Sequence, residues 1–135
     1  MKLIESLKIK EKLYIEKLEN GLTIIINPKK ITNKKYVIWG THFGSIDNHF
    51  IMPNNNEEVY IPDGVAHFLE HKMFEQEDGI DPFKVFAKTG ISTNASTTFD
   101  NTRYYIWGLN ELEKNLSFLL DFVFSPYFTD DNVLK

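Results

Sequence analysis

Two histidines and a glutamate lie within five consecutive residues, at His67, Glu70 and His71. Helical residues four apart lie on the same face about one turn apart, so both imidazoles can reach one metal ion. A carboxylate beside that ion can take a proton from water and return it to a leaving group. The pentapeptide therefore predicts a hydrolytic zinc centre, with His67 and His71 as metal ligands and Glu70 as the general base.

The order of the three residues is the inverted form of the commoner His-Glu-x-x-His pattern, and it also occurs among metallopeptidases. The flanking residues are apolar on almost every side, which predicts an interior helix. Unpaired imidazoles and a carboxylate would be costly there, and a cation would satisfy all three groups. The alternative is that two core histidines and an ion-paired glutamate share this spacing by chance, because motif matches include false positives.

A catalytic zinc site usually has three protein ligands and an open position for water. The chain has no cysteine, so the ligands must be nitrogen or oxygen atoms, which suit Zn²⁺ but also Mn²⁺ or Co²⁺. His42 and His49 are interpreted as structural or surface residues, since neither has an evident positioned partner. No residue among the 135 stands out as the third ligand.

The elements that must position the motif follow from local patterns. Apolar residues at 13–18 and 22–27 flank Asn20-Gly21 and predict a β-hairpin, and strands are predicted at 36–43, 91–98 and 102–107. Residues 47–62 are predicted as a polar loop. Four helices are predicted, with these N-caps: Asp63, Asp81, Asn110 and Thr129. The order predicts an α+β domain, a mainly antiparallel sheet with helices packed on one face.

Composition limits the classes of function. With 135 residues and 42% hydrophobic content, the chain has enough apolar material for one domain. The net charge of −4 argues against nucleic-acid binding, which relies on a basic surface. No apolar run approaches the length of a membrane helix, and the N-terminus lacks the apolar core of a signal peptide. A cytoplasmic protein without membrane association is therefore expected.

The sequence as a whole resembles the insulinase/pitrilysin-type zinc peptidases, which include the mitochondrial processing peptidases. The resemblance covers nearly all of the chain and is greatest to bacterial predicted peptidases of this family. The matching segments are Glu19 to Leu22, Phe43 to Ser45, Asp63 to Phe74, Gly90 to Ala95, Thr102 to Tyr105, Leu119 to Val123 and Ser125 to Phe128.

The resemblance implies roles for individual residues. It makes His67 and His71 zinc ligands and Glu70 the base, and it places the third ligand, a glutamate, beyond Lys135. It also implies that Asn94 and Ala95 lie on an edge strand that binds an extended peptide substrate. From local sequence alone, a plain edge strand explains these two residues equally well.

The resemblance further implies that residues 1–135 are the N-terminal portion of a metallopeptidase half-domain, incomplete at the C-terminus. A homologous second half or subunit is then the expected partner. The function implied is a zinc-dependent endopeptidase. The alternative is a non-catalytic or truncated peptide-binding subunit that needs a partner or the downstream segment.

Overall fold

The computed structural model describes residues 1–134, and the chain divides into two compact units, of which the second begins at Lys34. The first unit is an antiparallel sheet with the strand order β1-β2-β3. Its strands are β1 (Lys2–Ser6), β2 (Glu11–Lys17) and β3 (Thr23–Ile26). The predicted hairpin around Asn20-Gly21 is confirmed by the pairing of β2 with β3, and β1 was not predicted.

The second unit contains the motif helix. Its elements are β4 (Lys35–Thr41), β5 (His49–Ile51), β6 (Glu58–Tyr60), α1 (Val65–Lys72), α2 (Pro82–Lys88), β7 (Ser92–Thr97), β8 (Thr102–Gly108), α3 (Leu112–Phe124) and α4 (Asp130–Val133). None of the helices in residues 1–134 is long and apolar enough to cross a membrane.

The main sheet of this unit has the order β4-β8-β7, and both strand pairs are antiparallel. Because side chains alternate between the faces of a strand, every second residue points to the same side. On one face, α1 and α2 pack against β7, while α3 packs against β8 and β4. The prediction of an α+β fold, with a mainly antiparallel sheet and helices on one face, is confirmed.

The hydrophobic core lies between this sheet face and the three helices. It consists of Met73, Phe86, Ile91, Tyr104, Ile106, Leu119 and Phe122. Burial of large apolar side chains supplies most of the stabilisation of such a layer, at about 25 cal/mol per Å² of apolar surface. The core therefore holds α1 against the sheet.

Three local predictions were wrong. Residues 47–62 are not simply a loop, because β5 and β6 pair there as an antiparallel ribbon. Asp63 is not the N-cap of α1: Gly64 holds that position without a side-chain bond, and Asp63 accepts a hydrogen bond from Asn48. Glu111, rather than Asn110, precedes α3, with a φ of 44°.

The N-caps predicted for α2 and α4 are confirmed. Asp81 accepts the N–H of Phe83 at the start of α2, and Thr129 forms a reciprocal capping box with Asn132. Both pairs lie within three residues in the chain, and local spacing is therefore enough to specify them.

A glycine closes the end of the sheet next to the motif helix. Gly44 is buried, and a Cβ atom at this residue would lie 2.4 Å from the carbonyl oxygen of Phe99 and 2.5 Å from two backbone nitrogens. The neighbouring Ser45 N–H donates to the Thr98 carbonyl at 2.9 Å. Only a residue without a side chain allows the backbone after β4 to approach the β7–β8 turn this closely.

Candidate active site

The motif helix α1 exposes one side and buries the other. His67 and His71 are exposed, whereas Ala66, Glu70 and Lys72 are buried. The sequence prediction of a helix that is interior on all sides was therefore wrong. The apolar residues around the motif are divided between the core and the surface, as in Phe68, which is 40% exposed.

The two imidazoles converge on the exposed side of α1. Their Nε2 atoms are 3.0 Å apart and their ring centroids 4.7 Å apart. Two nitrogen ligands at the usual Zn–N distance around a tetrahedral ion are separated by about 3.3 Å. The predicted pair is thus brought together, and small side-chain adjustments would allow both nitrogens to bind one zinc ion.

A third ligand does not join the histidines within residues 1–134, where no group of three metal-binding side chains is found. The glutamate implied by the resemblance was placed beyond Lys135, outside the described residues. The two nitrogen donors fit zinc in type and in spacing.

Glu70 lies on the buried side of α1 and faces the sheet. Its exposed fraction is 7%, and its Oε2 atom accepts a hydrogen bond of 3.0 Å from the Thr97 hydroxyl. Its other carboxylate oxygen, Oε1, has no hydrogen bond to any described residue. One oxygen is thus anchored, while the other can interact with a proton donor such as water.

Thr97 is a residue of the candidate site that sequence reasoning missed, and its position depends on the sheet. Thr97 pairs with Thr102 across the β7–β8 hairpin, and the Thr102 hydroxyl donates to the Phe43 carbonyl at 2.8 Å. Its partner Glu70 lies 27 residues earlier in the chain. No spacing rule connects residues on a strand and a helix at that separation, so no local signal could have identified Thr97.

The charge of Glu70 acts on a neighbouring phenol. Burial, followed by the negative charge of Glu70, raises the pKa of Tyr104 far above its usual range. Tyr104 is 6% exposed and contacts the Phe74 and Phe122 rings in the core. The phenol therefore stays neutral at physiological pH and adds no second charge beside the carboxylate.

Lys72 anchors the C-terminal end of the motif helix. Its ammonium group is 2.7 Å from the Glu75 carboxylate and 5.6 Å from the centre of the Phe68 ring. The Lys72 side chain is largely buried, and the ion pair and the ring contact offset part of the cost of burying its charge. A positive charge in the last helical turn also stabilises the helix dipole.

The predicted substrate-binding residues lie on an edge of the main sheet. In residues 1–134, β7 pairs with β8 on one side and with no strand on the other. The Ala95 N–H donates to the side-chain oxygen of Asn94 at 2.9 Å, so it is not used in pairing with β8. The Ala95 N–H is therefore a backbone donor at the open edge of the sheet. In the structure, the Asn94 side chain accepts its hydrogen bond.

The other two histidines lie apart from the His67–His71 pair and have partners of their own. His42 Nδ1 is 3.0 Å from the Asp100 carbonyl oxygen. His49 contacts the Glu58 carboxylate at 2.7 Å and stacks on Tyr60. These contacts agree with their interpretation as structural or surface residues.

A family model described as Insulinase (Peptidase family M16) matches residues 55–135. The chain is 49% identical over 135 residues to the uncharacterized zinc protease YmfH of Bacillus subtilis (strain 168), covering all of this chain and 31% of that protein.

Two crystal structures share the fold. An M16-like peptidase from Alicyclobacillus acidocaldarius matches with a TM-score of 0.82 at 41% identity, over 90% of this chain and 28% of that chain. Pitrilysin matches with a TM-score of 0.71 at 20% identity, over 96% of this chain and 14% of that chain. The chain thus spans less than a third of the length of each of these proteins.

Proposed function

The chain belongs to the insulinase family of peptidases, M16, and from this membership we propose that it forms the part of a zinc-dependent endopeptidase that carries two metal ligands and the general base. The family-level resemblance read from the sequence is thereby confirmed. The roles of single residues, the substrate and the partner belong to the proposal.

In this proposal His67 and His71 hold zinc through their Nε2 atoms. When bound, zinc would lower the pKa of a water molecule towards neutrality and polarise the carbonyl of the scissile peptide bond. The observation that supports this role is the convergence of the two nitrogens to 3.0 Å on the exposed side of α1. A downstream glutamate would complete the set of ligands.

Glu70 is proposed to move the proton. The water oxygen bonds to the carbonyl carbon while one water proton passes to Glu70. Glu70 then delivers that proton to the leaving nitrogen as the C–N bond breaks, which balances the hydrolysis. Thr97 supports this role because it fixes one carboxylate oxygen and leaves the other available.

The substrate in this proposal is an extended peptide that adds to the open edge of β7. Main-chain hydrogen bonds to an edge strand bind peptides with little dependence on sequence. Asn94 would release the Ala95 N–H, which would then donate to the peptide. Because Thr97 ends the same strand, a peptide on β7 would run towards the carboxylate of Glu70.

The test is peptide cleavage by the full-length, zinc-loaded protein and its Glu70→Gln variant, with bound zinc measured in both. We expect cleavage to fall by at least about a thousandfold while zinc content stays the same, because the amide cannot accept the proton. His67→Ala should lose zinc, whereas His49→Ala, a histidine outside the pair, should retain it. Unchanged cleavage by Glu70→Gln would refute the proposed mechanism.

The same experiment addresses the alternative of a non-catalytic peptide-binding subunit. Such a subunit would bind peptides without cleaving them, alone or after zinc loading. A homologous second half or subunit is also part of the proposal, since M16 relatives are much longer than this chain. Cleavage that appears only after mixing with that subunit would identify it as the partner.

A further inference from the structure

The face of the main sheet opposite the helices carries an aromatic cluster that the proposed chemistry does not use. Tyr36, Tyr105 and Trp107 stack on one another, with ring centroids 5.8 to 6.3 Å apart and planes 27 to 28° apart. Tyr36 is 57% exposed, and Ile38 beside it is 53% exposed. Large apolar side chains are seldom left together on a surface without a binding role.

The size of the side chains on this outer face decreases towards the open edge. The register pairs Trp107 with Ser92, Tyr105 with Asn94 and Arg103 with Ser96. Each large residue of β8 therefore has a small polar neighbour on β7. The outer face therefore has a step. The small side chains of β7 line the open edge, and the larger side chains of β8 project further from the sheet, one strand away from that edge.

A peptide that pairs with β7 would place alternate side chains above this step. Neighbouring strands are about 4.8 Å apart, so an outward side chain of the peptide would lie beside Ser92, Asn94 or Ser96. The peptide and β8 would be about 9.6 Å apart, a gap that large side chains on both strands can bridge when the residues between them are small. Since the β7 residues are small, a large peptide side chain could extend over them to Tyr105 and Trp107.

Arg103 gives one end of the step a positive charge. It is exposed, and it forms no ion pair with the described part of the chain. Its register partner Ser96 precedes Thr97, the residue that bonds Glu70. Along β7, the Arg103 row is thus nearest to the carboxylate, and the rows of Tyr105 and Trp107 follow two and four residues further away.

We propose that Arg103, Tyr105 and Trp107 form a selectivity platform for the peptide bound to β7. The platform favours extended peptides with two aromatic or large apolar residues at alternate positions, preceded on the side of the cleaved bond by an acidic residue. This inference rests on the proposed function, because it assumes that the peptide pairs with β7. It adds a substrate class to an edge that would otherwise bind peptides of any sequence.

The test uses equilibrium binding, so that it does not depend on cleavage. The full-length Glu70→Gln protein, loaded with zinc, is titrated into fluorescein-labelled peptides of serine, threonine and valine. In each peptide, two residues that are two positions apart are both tryptophan or both serine. The set of peptides places this pair at successive positions. In one register we expect about tenfold tighter binding of the tryptophan peptide, because aromatic contacts add to apolar burial.

The variants separate the platform from general effects on the fold. Trp107→Thr should reduce the tryptophan preference to less than about twofold, whereas Trp107→Tyr, which keeps an aromatic ring, should retain most of it. Tyr36→Thr is the matched control, because Tyr36 belongs to the same stack but lies on β4, two strands from the edge. It should leave the preference within about twofold of the parent protein.

Arg103→Gln should remove a preference for aspartate over asparagine at the position two residues from the tryptophan pair, on the side of the cleaved bond. The platform would be overturned if Trp107→Thr left the tryptophan preference unchanged, or if Tyr36→Thr reduced it equally. Cleavage of the same peptides by the protein that retains Glu70 is measured separately. Absence of cleavage would refute the proposed function, whereas the binding preference alone decides the platform.

Discussion

The hydroxyl of Thr97 donates a hydrogen bond to Oε2 of Glu70, with a distance of 3.0 Å between the two oxygens. The donor is the last residue of β7 and the acceptor lies in α1, so the bond joins the strand edge to the motif helix. If a peptide pairs with β7, its backbone and the proton-accepting group are positioned by the same strand. A shift of β7 would therefore move both together.

Thr97→Val removes the hydroxyl at nearly constant side-chain volume. We expect kcat for peptide cleavage to fall by about tenfold while KM stays within about twofold, since a bond to a charged group is lost but the peptide edge remains. Steady-state kinetics of the full-length, zinc-loaded protein would measure both values.

Two further variants control for general damage to β7. Thr97→Ser keeps the hydroxyl and should restore most of the lost kcat. Thr93→Val, on the same strand and face, removes a hydroxyl that bonds the Tyr105 carbonyl at 3.1 Å and should leave kcat nearly unchanged. An equal loss of kcat in Thr93→Val would mean that Thr97 has no special relation to Glu70.

Gly44→Ala should destabilise the second unit by about 2 kcal/mol or more, because the new methyl group meets backbone atoms that cannot rotate away. Gly40→Ala is the control: its Cβ would have no neighbour closer than 3.9 Å, and the free energy of unfolding should change by less than about 0.5 kcal/mol. Urea unfolding followed by circular dichroism would measure both. Equal stability of the two variants would contradict the close approach at Gly44.

The raised pKa of Tyr104 predicts a loss of stability in alkaline solution. The folded state retains the phenol proton above pH 10, where the unfolded chain releases it, so the contribution is present below that pH and lost as pH rises. The free energy of unfolding should decrease by up to about 1.4 kcal/mol per pH unit above pH 10 from this group. The Tyr104→Phe variant should lack this part of the decrease. Identical pH profiles of unfolding free energy for the two proteins would contradict the raised pKa of Tyr104.

Pairing of a peptide with β7 predicts a period of two in a backbone methylation scan. In a strand, alternate N–H groups face the neighbouring strand, so methylation of every second peptide nitrogen should remove a hydrogen bond. Affinity should fall by about threefold to tenfold at those positions and change little at the others. Anisotropy titrations of singly N-methylated peptides against full-length Glu70→Gln protein would reveal the pattern. A uniform loss along the peptide would exclude strand addition.

The parts of the site and fold that could be predicted from the sequence depend on residues that lie close together in the chain. His67 and His71 converge because four residues make about one helical turn, and the Thr129 capping box depends on a spacing of three. The hairpin at Asn20-Gly21 follows from turn chemistry. Resemblance to a family added the peptide-binding role expected of Asn94 and Ala95, which lie on an edge strand in residues 1–134.

The features that were missed depend on contacts between distant parts of the chain. Thr97 reaches Glu70 across 27 residues, and the exposed side of α1 is decided by which residues meet the sheet. The ribbon of β5 and β6 was missed because its three-residue strands are too short for a clear alternating pattern. Asp63 was assigned to a helix cap, yet its side chain instead bonds Asn48, 15 residues earlier.

The bond between the Phe43 carbonyl and the Thr102 hydroxyl joins residues 59 positions apart. During synthesis, α1 is made before β7 and β8, so Glu70 has no anchor until the strand that carries Thr97 follows. The strand pairing that supplies this anchor must wait for loop closure, which slows with sequence separation. The order of synthesis thus delays the anchoring of Glu70 until the β7–β8 hairpin has been made.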